Sequence, residues 1–266
     1  MNKVNIINKI ISYDDSQLTE RIYIGNDYCQ LNLNEKEIIN LIVYYKDKKQ
    51  ITLLLPFLTN LGLEKLSNIL KQSCVVDNDA FEIVFNDWGT FFYLRKNYPK
   101  VKLVLGRLLT NQKKDPRISN VLKNKNNVVT DVLNKQIVYL PELPQSLIDL
   151  YYRHSIETPE LIKFLTSNNV YRIELDNVVW RIVSELPKTI KVSLYYPYLL
   201  LSVTRYCGLL HDKYESVCNK DCVNDIQKLS NGFYLKGNAI YHKNDVLPSK
   251  EDLENNNIDR IVYQAL

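Results

Sequence analysis

Five cysteines are the residues of this 266-residue chain whose type and spacing best suit chemistry. Cys207, Cys218 and Cys222 share one stretch with the spacing C-x10-C-x3-C, and Cys29 lies far upstream. A free cysteine usually does no more than pack in a core, and that reading suits Cys74, at the end of a predicted helix. It suits Cys218 and Cys222 poorly, because residues 211–225 are polar and carry Asp212, Lys213, Glu215, Lys220 and Asp221. An odd number of cysteines argues against a disulfide framework. Four thiolates around one point suit a 4Fe–4S cluster or a structural zinc ion.

Few other residues form a recognisable chemical pattern. The three histidines, His154, His211 and His242, are scattered. The chain has no H-E-x-x-H, G-x-S-x-G, G-x-G-x-x-G or P-loop. Cys207 with His211 is the one pairing that resembles a nucleophile and base, and closeness in a loop is weak support for it. Arg107 and Arg117 bracket a long polar stretch, where guanidinium groups hold a carboxylate or phosphate in paired hydrogen bonds or simply sit in a solvated basic loop. Asn86 follows an expected strand and either meets a substrate or, the favoured reading, caps the next helix. Arg205, two residues before Cys207, either bonds a metal group or pairs with an acidic neighbour.

These residues need elements to bring them together. The composition is 45% hydrophobic with a net charge of +4, enough for one large α/β domain and without a strong basic field. Residues 1–13 lack the apolar centre of a signal peptide, and no stretch approaches the ~20 apolar residues of a membrane helix. The protein is therefore expected to be cytoplasmic, without membrane insertion.

Apolar runs and amphipathic stretches alternate. Strands are expected at 21–25, 51–57, 81–85, 101–105, 147–152, 171–175, 190–196 and 258–263, and helices at 35–47, 63–73, 88–98, 159–167 and 178–186. Thr158 and Pro159 form a start signal for the fourth helix. Residues 111–143 interrupt the rhythm as a long insertion, expected to cover the mouth or meet a partner. Residues 204–242 hold the cysteine loop and a hairpin turning at Gly237-Asn238. The expected fold is a single domain over 1–266, a TIM-barrel-like parallel (β/α) barrel. Residues after each strand gather at the C-terminal mouth of such a barrel, which brings Cys29 towards Cys207, Cys218 and Cys222.

The stretch Leu200-Leu201-Ser202-Val203-Thr204-Arg205-Tyr206-Cys207, with Cys218 and Cys222, resembles the signature of the collagenase-like peptidase family (peptidase U thirty-two). In cysteine pattern it is most similar to the UbiV-like iron–sulfur branch. Ile22-Tyr23-Ile24-Gly25 before Cys29, Asn86-Asp87-Trp88-Gly89, Leu105-Gly106-Arg107 with Asp115-Pro116-Arg117, and Gly237-Asn238 are similar to further family segments. The resemblance implies a barrel-like fold with a 4Fe–4S cluster on Cys29, Cys207, Cys218 and Cys222. It implies a subunit that supports oxygen-independent hydroxylation, of ubiquinone-precursor or RNA type, as a heterodimer with a second family member. A peptidase, as the family's name says, and a non-catalytic zinc-stabilised scaffold are the alternatives. Residues 244–266 depart from the UbiV-like pattern.

Overall fold

The computed structural model describes residues 2–7, 20–123, 128–131, 136–139, 144–180, 182, 185–207, 218, 220, 222 and 225–266. Its first half repeats a strand and a returning helix: β1 Asn2–Ile7, β2 Arg21–Gly25, α1 Glu35–Tyr45, β3 Gln50–Leu54, α2 Asn60–Ser73, β4 Phe81–Phe85, α3 Trp88–Asn97 and β5 Lys102–Leu105. There follow α4 Ile118–Lys123, the hairpin β6 Val128–Asp131 and β7 Gln136–Tyr139, α5 Gln145–Tyr152, α6 Pro159–Ser167 and β8 Arg172–Asp176. The last third holds β9 Lys191–Tyr196, β10 Tyr198–Val203, β11 Gln227–Lys228, β12 Phe233–Lys236, β13 Ala239–Lys243, α7 Lys250–Asn255 and β14 Ile258–Tyr263.

Seven strands, in the order β14-β9-β8-β5-β4-β3-β2, form a parallel sheet curled into a half-barrel that does not close by itself. β1 pairs in parallel with β14 on one side and with β2 on the other. Side chains of a strand alternate between faces, and both faces here are covered. Ile22, Leu53, Ile83, Phe85, Leu103, Ile173, Val192 and Ile261 join the helices in one large core. Tyr23, Leu54, Val84, Val104, Tyr195 and Val262 form a smaller group of their own. Burial on both faces explains why β4 reads Phe-Glu-Ile-Val-Phe rather than alternating polar and apolar.

The helices follow local signals. Asn34 caps α1 by accepting from the Glu37 amide, and Ile38, Leu41, Ile42 and Tyr45 form its buried face. Asp87 caps α3 through the Thr90 amide. Two elements differ from expectation. Residues 147–152, read as a strand, lie in α5; a short apolar run does not distinguish the two states. Among the described residues of 178–186, read as a helix, none is helical. Val178, Ile182 and Leu186 are buried, and residues 181, 183 and 184 lie outside the described residues. The carbonyls of Asn177 and Val178 accept from the Asn244 side chain.

After β9 the chain enters a four-stranded antiparallel sheet, β10-β13-β12-β11, in place of another helix. This sheet carries the segment from Cys207 to Cys222. The described residues of the 111–143 insertion include α4 and the β6–β7 hairpin. Gln112 exchanges two hydrogen bonds with the Asp176 backbone at the end of β8, at 3.1 and 2.9 Å. The start of the insertion thus lies at the C-terminal end of the parallel sheet.

Candidate metal centre

The turn after β2 is built to present Cys29. The Asn26 side-chain oxygen accepts from the Tyr28 and Cys29 amides at 3.1 and 2.7 Å, an Asx turn. A 3-10 turn, Gln30–Asn32, follows with Cys29 as its first flanking residue. The β12–β13 turn comes in from the other side. Asn238 donates its side-chain amide to the Tyr28 carbonyl at 2.7 Å and also to the Thr204 carbonyl, and its own backbone oxygen accepts from the Thr204 amide at 3.0 Å. One asparagine therefore joins the Cys29 segment to the segment leading to Cys207. Gly237 lets this turn approach closely: its φ is +61°, and a Cβ there would lie 3.2 Å from Cys222 Sγ.

The result is a pocket of about 560 Å3 lined by Cys29, Cys207, Cys218 and Cys222. Leu31, Phe57 and Leu58 supply much of its apolar lining. Asn32 donates to Cys222 Sγ at 3.4 Å and to the Tyr28 hydroxyl at 3.1 Å. Burial pushes the Cys29 and Cys222 thiols up, and the neighbouring cysteines add to the effect. Without metal they stay protonated, a balance that a bound cation inverts. Cys74 is elsewhere. It is exposed, ends α2 with φ 54°, and donates to the Lys71 carbonyl at 3.6 Å.

The donor set fits a thiolate-bound metal group. Four thiols border the pocket, and its described lining holds no carboxylate and no imidazole. The sulfurs do not stand at ligand separation: among the described residues, no three His, Cys, Asp or Glu side chains are grouped so as to hold a metal ion. A metal held by these four thiols would have to draw them together on binding.

The other predicted site residues have different tasks. Arg107 is wholly buried and spends its guanidinium inside the protein. It reaches Asp27 through Nε at 2.7 Å, Asp176 at 2.7 Å, Gln264 at 2.8 Å and the Tyr198 carbonyl at 3.2 Å, and stacks 3.8 Å above the Tyr195 ring. Lys114 joins the network through Asp176 and the carbonyls of Arg107 and Leu200. The guanidinium that the sequence allowed either to hold a carboxylate or phosphate or to sit in a solvated loop is occupied here by internal partners. Arg117 is exposed and paired with Asp115 in its own loop. Asn86 is not the cap of α3. It is buried, donates to the Leu55 carbonyl at 2.8 Å and accepts from the Leu108 amide at 3.1 Å, while Asp87 caps α3. Gly106 permits this, since a Cβ there would lie 2.1 Å from the Asn86 oxygen. Arg205 is exposed and lines the cysteine pocket. His211 lies outside the described residues.

Asp27, Asp176, Lys114 and Gln264 escaped the sequence reading, although an acidic residue at a strand's C-terminal end was a usable signal. Asn26, three residues before Cys29, was another. No helix among the described residues is long and apolar enough to cross a membrane. Neither a family model, nor a curated protein, nor a solved structure matches the chain.

Proposed function

We propose that the chain is an iron–sulfur protein of the collagenase-like peptidase family, binding a 4Fe–4S cluster through Cys29, Cys207, Cys218 and Cys222. It serves as a subunit of an oxygen-independent hydroxylation system, of ubiquinone-precursor or RNA type, beside a paralogous partner. One observation carries the reading: four of the five cysteines, drawn from opposite ends of the chain, border one pocket, and the exposed Cys74 does not. A cluster bound there supplies one-electron transfer. The protein's own part is to deliver the thiols on pinned turns, through Asn26 and Asn238, and to limit water around them with Leu31, Phe57 and Leu58. In this reading β1, paired with both β2 and β14, completes a TIM-type ring and fixes where the Cys29 turn emerges. The peptidase reading has less support, because no described residue lining the pocket offers a general base.

Anaerobic purification with iron, sulfide and zinc analysis and visible absorbance tests the proposal. About four iron atoms per chain are expected, lost in Cys29→Ala and Cys218→Ala and kept in Cys74→Ala. Zinc in place of iron, or equal iron in all three variants, would overturn it.

A further inference from the structure

Asn32 is a half-buried polar side chain beside Cys222. Its side-chain oxygen is buried without a hydrogen-bond partner among the described residues, which is unfavourable for a polar group. The other end of the same amide explains its presence. Nδ2 faces two acceptors, Cys222 Sγ at 3.4 Å and the Tyr28 hydroxyl at 3.1 Å. The Asn32 backbone amide also donates to the Cys29 carbonyl at 3.2 Å. One residue thus grips the backbone of one proposed ligand and the sulfur of another.

We infer that Asn32 is a positioning residue that holds Cys222 in ligand orientation and raises the reduction potential of the metal group bound there. The inference rests on the iron–sulfur reading above. A neutral thiol is a weak acceptor, whereas a bond to a thiolate is charge-assisted and roughly twice as strong. The Asn32 bond therefore strengthens when Cys222 ligates metal. It strengthens again when an added electron raises the negative charge on the sulfurs, so it favours the reduced state. Hydrogen bonds to cluster sulfurs are among the determinants of cluster potential.

The test uses full-length protein purified anaerobically and a dye-mediated redox titration followed by electron paramagnetic resonance. Asn32→Leu, similar in shape and without a donor, is expected to retain iron and to shift the midpoint to more negative potential. Asn32→Asp, which sets a carboxylate beside the sulfur, is expected to shift it further the same way. Asn32→Gln, which keeps the donor on a longer stem, is expected to return towards wild type. Iron-loaded Leu and Asp variants with wild-type midpoints would overturn the inference and leave the iron–sulfur reading intact. If Asn32→Leu loses its iron, retention of iron by Asn32→Gln supports the donor role, and equal loss overturns it. Wild-type protein without iron overturns both readings together.

Discussion

The side-chain amide of Asn238 donates to the carbonyl of Tyr28 at 2.7 Å, so the β12–β13 turn is bonded to the residue beside Cys29. The same amide serves the Thr204 carbonyl, three residues before Cys207. Asn238→Ala removes both bonds and is expected to lower stability by about 1–2 kcal/mol. Asn238→Asp is expected to be worse, because a carboxylate would face two carbonyl oxygens. Urea midpoints for the two variants check the order, and an aspartate variant as stable as wild type would refute it.

Gly237 allows the close approach beneath Cys222. In Gly237→Ala the left-handed backbone costs roughly 1 kcal/mol, and the new methyl group would press on Cys222 Sγ from 3.2 Å. Reduced stability and reduced iron content are both expected. Iron content distinguishes a displaced thiol from simple backbone strain, which would lower the melting temperature alone.

Arg107 links the ends of β2, β5, β8 and β14 through Asp27, Asp176 and Gln264. Arg107→Met strands two buried carboxylates with Lys114 and Lys236 as the nearby cations, so a loss of about 3–5 kcal/mol is expected. Adding Asp176→Asn removes one of the stranded charges. The double variant should lose less than the sum of the two single variants, and additive losses in chemical denaturation would count against a coupled network.

The parallel α/β alternation was legible because strands buried on both faces are mostly apolar, as in β4 apart from Glu82, and because the Thr158-Pro159 pair carries a local helix signal. The expectation that Cys29 meets the distant cysteines rested on barrel geometry rather than on any local pattern, and the structure places all four along one pocket. β1 was not legible: Asn2–Ile7 alternates Asn and Lys with Val and Ile, and its pairing partners lie at both ends of the chain. Arg107 was read as a free cation because sequence does not show that Asp27, Asp176 and Gln264 converge on it. Asn86 was displaced from its expected cap by its neighbour Asp87, a choice between adjacent residues that only the turn geometry decides.

Glu174 gives the protein a pH dependence of known sign. It is fully buried, and its Oε2 accepts from the Tyr195 hydroxyl at 2.9 Å. Burial pushes its carboxyl up to about 8, against the smaller opposing pull of the Tyr195 bond and the Arg107 charge. A folded-state pKa above the unfolded value favours the fold fully below the unfolded carboxyl's titration. That contribution is lost as pH rises through about 8. The loss is on the order of a few kcal/mol at about 1.4 kcal/mol per pKa unit. Glu174→Gln keeps an acceptor for Tyr195 and removes the titration. The variant should therefore gain on wild type as pH is raised from about 5 to about 8, because the remaining groups titrate alike in both proteins and cancel in the difference. Urea midpoints measured across that range give the answer, and parallel curves for the two proteins would show that Glu174 is already ionised in the folded state.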